Sequence, residues 1–179
     1  MHGRDRTVAD ERMVTFAGTN LAISGAAVAV GTAAPVFTAV DVNLKDVSSA
    51  SFAGYAVVLA TVPSLDTPVC DLETRRFNEE AGLLGGRAVV LTVFMDLPFA
   101  QVRWCGMQGV DHVVTLSDFK YREVGQKFGV YIPDLGLLAR AVFVIDPKGV
   151  IRYREIVPEV TREPDYDAAL VAARAVLHP

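Results

Sequence analysis

The sequence predicts an α/β fold, a central mixed sheet flanked by helices and preceded by an N-terminal β-hairpin. Three observations predict it. Tyr55–Thr61, Arg87–Met95 and Arg140–Ile145 are nearly continuous apolar runs of strand length, the pattern of strands buried on both faces. Segments with helical spacing of apolar residues lie between them. Asp146-Pro147-Lys148-Gly149 is a turn sequence that sends the chain back as Val150–Val157. That return is a hairpin, so the sheet is mixed rather than all parallel.

Val14–Phe16 and Leu21–Ile23 alternate around Ala17-Gly18-Thr19-Asn20, which reads as a small added hairpin. Pro35 opens an extended stretch, Val36–Val40, followed by a turn near Asn43, Lys45 and Asp46. After the first buried run, Pro63–Pro68 interrupts the chain. Val69, Leu72, Phe77, Ala81 and Leu84 then recur at helical spacing and supply an apolar stripe. Asp66 or Thr67 caps this helix, Pro68 fits its first turn and Gly85-Gly86 ends it. A second helix is predicted over Leu97–Met107, stopped near Gly106 and Gly109, and Val113–Leu116 is a short strand. Phe119–Phe128 reads as a helix ended by Gly129. Asp165–Leu177 reads as a closing helix, with Asp165 and Asp167 at its positive end. This order fits a thioredoxin-like arrangement.

The 179 residues are one ordinary domain's worth of chain, and with 51% hydrophobic residues they support a packed core without cross-links. The expected organisation is a disordered leader over residues 1–12 and one domain over 13–179. A formal net charge of −4 with no basic stripe argues against nucleic acid or an anionic membrane as partner. No apolar stretch approaches the ~20 residues of a membrane span. The leader has no apolar core, so it is not read as a secretory signal, and the expected compartment is the cytoplasm. The three histidines show no ligand spacing, and no metal or other cofactor is expected.

The informative segment is Pro63-Ser64-Leu65-Asp66-Thr67-Pro68-Val69-Cys70, which joins a buried strand to a helix and puts the cysteine in the first helical turn. Orphan backbone N–H groups and the helix dipole favour thiolate there, which makes Cys70 a nucleophile candidate. Thr67, three residues earlier, can cap the helix and also sit beside the sulfur. Pro63 and Pro68 remove two backbone donors and stiffen the loop. Arg140 opens a buried strand, where its charge needs a partner. It can complete the pocket by holding both thiolate and an oxygen-rich substrate, or it can be a surface ion pair. Cys105 lies on the second predicted helix, too far along the chain for a Cys-x-x-Cys centre. It reads either as a buried thiol or as a resolving thiol for oxidised Cys70.

Pro63-x-x-x-Thr67-x-x-Cys70 resembles the peroxiredoxin active-site pattern. The longer string Ser64–Asp71 and its continuation Arg75–Ala81 resemble the thiol peroxidase subfamily, the atypical two-cysteine group. So do Asp96–Gln101 with Arg103-Trp104-Cys105-Gly106, the stretch Arg140–Asp146, and Glu163–Tyr166. The resemblance covers roughly Val14 to Leu177. It implies that Cys70 is the peroxidatic cysteine, that Thr67 and Arg140 hold the peroxide, that Pro63 shields the pocket and that Cys105 is the resolving cysteine. It further implies a hydroperoxide substrate, thioredoxin or a similar dithiol as reductant, a homodimer and a role in antioxidant defence. Tyr131–Leu137 departs from the pattern by being shorter than the glycine-containing loop expected there.

The expected chemistry is attack of the Cys70 thiolate on a hydroperoxide, then an intramolecular Cys70–Cys105 disulfide. Because the two cysteines lie on separate helices, the first turn at Cys70, the Cys105 helix, or both are expected to unwind, eased by Gly106 and Gly109. Val69, Leu97, Phe99 and Leu138 are expected around the pocket and lean toward organic hydroperoxides. The competing readings are a disulfide oxidoreductase, which would want cysteines close in sequence, and a non-enzymatic thiol redox sensor. The peroxidase reading needs a sulfur that an oxidant can reach and a cation beside it.

Overall fold

The computed structural model describes residues 12–108 and 112–178. The predicted leader falls outside them, except Arg12, whose guanidinium donates to the carbonyls of Gly25 and Gly129. The chain forms β1 (Met13–Phe16), β2 (Thr19–Ala22), β3 (Thr38–Val40), β4 (Asp46–Ser48), a short 3-10 turn (Ser49–Phe52) and β5 (Ala56–Thr61). There follow α1 (Pro68–Leu84), β6 (Ala88–Phe94), α2 (Pro98–Gln108), β7 (Val113–Ser117) and α3 (Glu123–Phe128). The last elements are β8 (Tyr131–Ile132), β9 (Leu137–Leu138), β10 (Ala141–Ile145), β11 (Ile151–Ile156) and α4 (Tyr166–Leu177).

Seven strands form the central sheet in the order β11-β10-β5-β6-β7-β3-β4. β5, β6 and β7 pair in parallel, and β10, β11, β3 and β4 join antiparallel. The three apolar runs are the centre of this sheet, as their composition predicts. Alternation divides their side chains between two cores. Val57, Leu59, Leu91, Val93, Ala141 and Phe143 face one side, packed with Val124 and Phe128 of α3 and with Val14 and Leu21 of the N-terminal hairpin. Ala56, Val58, Ala60, Val90, Phe94, Val142 and Val144 face the other, packed with Phe77 of α1, Trp104 of α2 and Leu170 of α4. No helix among the described residues is long and apolar enough to cross a membrane.

Three local expectations differ. The buried stripe of α1 is Cys70, Glu73, Thr74, Phe77 and Leu84, whereas Leu72 is 54% exposed. Apolar spacing chose Leu72 because a carboxylate is not counted as a core residue, yet Glu73 has a buried cation to meet. α3 begins at Glu123 rather than Phe119, because the buried Asp118 carboxylate accepts the N–H groups of Val124 and Gly125 and fixes where the first turn starts. Residues 133–136 connect β8 to β9, so Tyr131–Leu137 is as short as its sequence implies. β4 and the 3-10 turn were not distinguished from the turn near Asn43, since three-residue strands give too little alternation to read.

Candidate active site

Cys70 and Arg140 meet at one end of the sheet for reasons of register. β5 and β10 pair antiparallel with Thr61 opposite Ala141, so the loop leaving β5 and the residue entering β10 lie side by side. Ala139 and Ala141 face the α3 core, so alternation sends the side chain of Arg140 to the opposite face, beneath α1. The loop after β5 is held by Asp96, whose carboxylate accepts from Ser64 Oγ at 2.9 Å and from the Leu65 N–H at 3.0 Å. Thr67 then caps α1. Its hydroxyl accepts the Cys70 N–H at 3.4 Å and donates to the Ser64 carbonyl at 3.3 Å. Pro68 and Cys70 occupy the first turn, as the sequence predicts, but Cys70 lies on the turn's inner face with no exposed surface, whereas a sulfur within an oxidant's reach was expected.

All three nitrogens of the Arg140 guanidinium donate a hydrogen bond. Nη2 donates to Cys70 Sγ at 3.2 Å, Nη1 donates to a Glu73 carboxylate oxygen, and Nε donates to the Val160 carbonyl at 2.9 Å. Arg140 is 1% exposed, and Cys70 and Glu73 are not exposed at all. Burial works against the charge on Arg140, but Glu73 and Cys70 outweigh it and hold the guanidinium above its ordinary value. Burial likewise pushes the Glu73 carboxyl up, to about 7, against the pull of Arg140. The second Glu73 oxygen, Oε1, finds no partner among the described residues. This is a cation held against a sulfur in a water-poor place, where charge interactions are strong and the geometry is set in advance.

Cys105 stands elsewhere. It lies half-buried on α2, its Sγ 3.7 Å from Thr115 Oγ1 on β7, and burial pushes its thiol above the ordinary value. Both cysteines are free thiols. The partner of Cys70 leads into β10 and the partner of Cys105 is on β7, three strand spacings away, about 14 Å. Trp104, beside Cys105, ties α2 to the first turn of α1 through a 3.1 Å bond from Nε1 to Asp71.

The Redoxin family model matches residues 29–170. A thiol peroxidase of Bacillus subtilis (strain 168) is 47% identical over 164 residues, which are 92% of this chain and 98% of that protein. The chain belongs to the thiol peroxidase family of redoxins. A thiol peroxidase of Staphylococcus aureus (strain MRSA252) is 46% identical over 91% of this chain and 98% of its own. The crystal structure of a peroxiredoxin-like protein from Aquifex aeolicus is 39% identical, covers 92% of this chain and 97% of its own, and superposes with a TM-score of 0.85. As a member of the thiol peroxidase family the protein is an oxidoreductase that reduces peroxides, and its two cysteines fit a redox mechanism.

Of the site residues expected of a thiol peroxidase, the structure gathers Cys70, Thr67 and Arg140 at one point. Pro63 is buried at the start of the same loop. Cys105 is outside that cluster. The sequence reading missed Glu73, although two signals pointed to it. It lies three residues after Cys70, on the same helix face, and a buried arginine requires a counter-charge. A groove of about 600 Å³ runs beside the site, lined by Leu65, Thr67, Pro68, Asp71, Trp104 and Met107 among others. None of Val69, Leu97, Phe99 and Leu138 lines it, and Leu138 packs in the core on the other face of the sheet.

Proposed function

We propose that Cys70 is the residue that peroxide oxidises and Cys105 the residue that resolves it. The observation that carries this reading is the 3.2 Å approach of Arg140 Nη2 to Cys70 Sγ at the capped start of α1. The Cys70 thiolate attacks the terminal oxygen of ROOH, forming an S–O bond and breaking the O–O bond. Sulfur is oxidised to the sulfenic acid, and RO⁻ leaves and takes a proton to give an alcohol or water. Negative charge spreads over sulfur and both oxygens on the way. Arg140 Nη2 already points at the sulfur, and the Thr67 hydroxyl, which donates to the Ser64 carbonyl in the resting protein, turns with the first-turn N–H groups toward that charge. Pro63 keeps a backbone donor and water away from it.

The Cys105 thiol then attacks the sulfenic sulfur, releasing water and leaving a Cys70–Cys105 disulfide. Disulfide geometry needs Cα atoms within about 7 Å, so the first turn of α1, α2, or both unwind. An earlier opening of the Cys70 turn, before attack, admits peroxide from the groove at Thr67 and Pro68, since Cys70 has no exposed surface in the reduced protein. Unwinding of α2 also relieves the burial that pushes the Cys105 thiol up. Thioredoxin or a similar dithiol reduces the disulfide by exchange. A homodimer is the assembly this reading carries; Leu97, Phe99, Val102 and Met107 supply exposed apolar surface for it. A reducing compartment such as the cytoplasm suits two resting thiols. Peroxide consumption by Cys70→Ser tests the reading. No turnover is expected, and full turnover would overturn it.

A further inference from the structure

The N-terminal hairpin reads in the sequence as an addition to the fold, yet it is bonded to the segment that holds Arg140. The hairpin turn is Ala17-Gly18, and both residues have positive φ, 49° and 83°. A two-residue turn of this kind suits the twist of the strands but strains the alanine. Its two N–H groups point at one carboxylate across the chain: Ala17 N donates to Glu159 Oε1 at 2.9 Å and Gly18 N to Oε2 at 3.1 Å. Thr15 Oγ1 donates to Oε2 at 2.6 Å. From the other side, the Thr161 N–H and hydroxyl donate to Oε1 at 3.1 and 2.6 Å. Five donors thus converge on Glu159. The backbone reinforces the joint, with Thr15 N donating to the Pro158 carbonyl at 2.7 Å and Val160 N to the Thr15 carbonyl at 2.8 Å.

Val160 sits between Glu159 and Thr161, so its peptide plane is fixed from both sides. Its carbonyl is the one that accepts Arg140 Nε at 2.9 Å. The Arg140 carbonyl in turn accepts the Val157 N–H at 2.9 Å. A guanidinium is planar, so pinning Nε and Nη1 sets the direction in which Nη2 points, and Nη2 points at Cys70 Sγ. The path from the hairpin turn to the sulfur is Glu159, Val160, Arg140, Cys70, with a hydrogen bond or a single peptide link at each step.

We propose that Glu159 is a positioning residue for peroxide reduction, which clamps the N-terminal hairpin onto the 157–161 segment and so holds Arg140 aimed at Cys70. This rests on the reading of Cys70 and Arg140 given above. Glu159 touches neither sulfur nor peroxide and acts only through the arginine. The Thr15 and Thr161 hydroxyls keep its carboxyl far below the usual range, so the clamp is charged at every working pH.

A double-mutant cycle tests it, reading the second-order rate constant for Cys70 oxidation by stoichiometric peroxide in single-turnover mixing. Glu159→Ala is expected to slow oxidation about tenfold when Arg140 is present, the order of magnitude for losing one orienting constraint. In an Arg140→Lys background the same change is expected to cost nothing further, because there is no fork left to aim. Thr15→Val, which removes one side-chain donor and keeps the backbone joint, is expected to slow oxidation by a smaller factor. It serves where Glu159→Ala folds poorly. The Nε–Hε NMR signal of Arg140 is expected to shift in both variants. Equal slowing by Glu159→Ala in both backgrounds would overturn the proposal, since the residue would then act on general stability. No slowing by either variant in the Arg140 protein would also overturn it. If Arg140→Lys itself oxidises at the full rate, the underlying reading of Arg140 fails and the proposal falls with it. That result is recognisable from the single variant alone.

Discussion

Arg140 donates to Cys70 Sγ from Nη2 while its neighbouring nitrogen, Nη1, holds Glu73, so the cysteine and a buried carboxylate share one guanidinium. Cys70 and Glu73 are three residues apart on the inner face of α1, which is why one cation reaches both. With Nε and Nη1 held by Val160 and Glu73, the planar guanidinium turns Nη2 toward the sulfur.

That direction depends on the planar fork. Arg140→Lys keeps a positive charge but can make fewer of the three bonds. The expected result is a fall of about 10- to 100-fold in the rate of Cys70 oxidation, equivalent to roughly 1.5–3 kcal/mol for a lost charge-assisted bond, with the fold retained. Stopped-flow oxidation with circular dichroism as the fold control measures it. An unchanged rate would make Arg140 a structural residue.

The two cysteines are expected to fail differently. Cys70→Ser removes the attacking atom and abolishes turnover. Cys105→Ser leaves attack intact, so one round of peroxide is consumed and recycling is poor. A steady-state assay with a dithiol reductant, followed by a single-turnover assay, separates the two. Equal steady turnover by Cys105→Ser and the unmodified chain would remove Cys105 from the cycle.

Glu73 carries a pH signature. Burial raises its carboxyl in the folded protein to about 7, above the ~4.3 of an unfolded chain. Below about pH 4 both states are protonated and the group contributes its full share to stability. As pH rises toward 7 the unfolded state ionises first and that share is lost; above 7 the loss is complete. The chain is therefore expected to lose stability between pH 4 and 7 relative to Glu73→Gln, on the order of 3 kcal/mol at about 1.4 kcal/mol per unit. Urea unfolding of both proteins at pH 5 and pH 8 checks this, and parallel pH curves would contradict it. Glu73→Ala is expected to be worse than Glu73→Gln, because it leaves the buried Nη1 of Arg140 with no acceptor and opens a cavity, whereas glutamine keeps an acceptor oxygen there.

Much of this was legible in the sequence. The three apolar runs announced the central strands, and Thr67-Pro68 announced the start of α1 two residues before Cys70. Helical spacing placed α2 and α4 within a residue or so. What was illegible shares a physical cause. Glu73, Asp118 and Glu159 are carboxylates whose partners lie far along the chain or are backbone groups, and apolar periodicity carries no record of them. The same blindness put Leu72 inside and Glu73 outside. Leu138 was expected near the pocket, but it belongs to β9, the hairpin partner of β8, rather than to β10, and it packs in the core on the α3 face. Gly109, expected to ease unwinding of α2, lies outside the described residues.

Local opening is the step most open to direct observation. The Thr67 cap, the Trp104–Asp71 bond and the Cys105–Thr115 contact all hold the reduced arrangement. Forming a Cys70–Cys105 disulfide is expected to break at least one of them. Hydrogen exchange is therefore expected to rise in the first turn of α1, in α2, or in both on oxidation, while β5 and β6 stay protected. Identical exchange in the reduced and oxidised proteins would contradict this.

The most direct measurement is mass spectrometry of the reduced chain after one equivalent of peroxide, with Cys105→Ser run in parallel. The expected products are an intramolecular Cys70–Cys105 link in the unmodified chain and a trappable sulfenic acid on Cys70 in the variant. Oxidation that appears on Cys105 while Cys70 remains a thiol would contradict the assignment of Cys70 as the attacking sulfur.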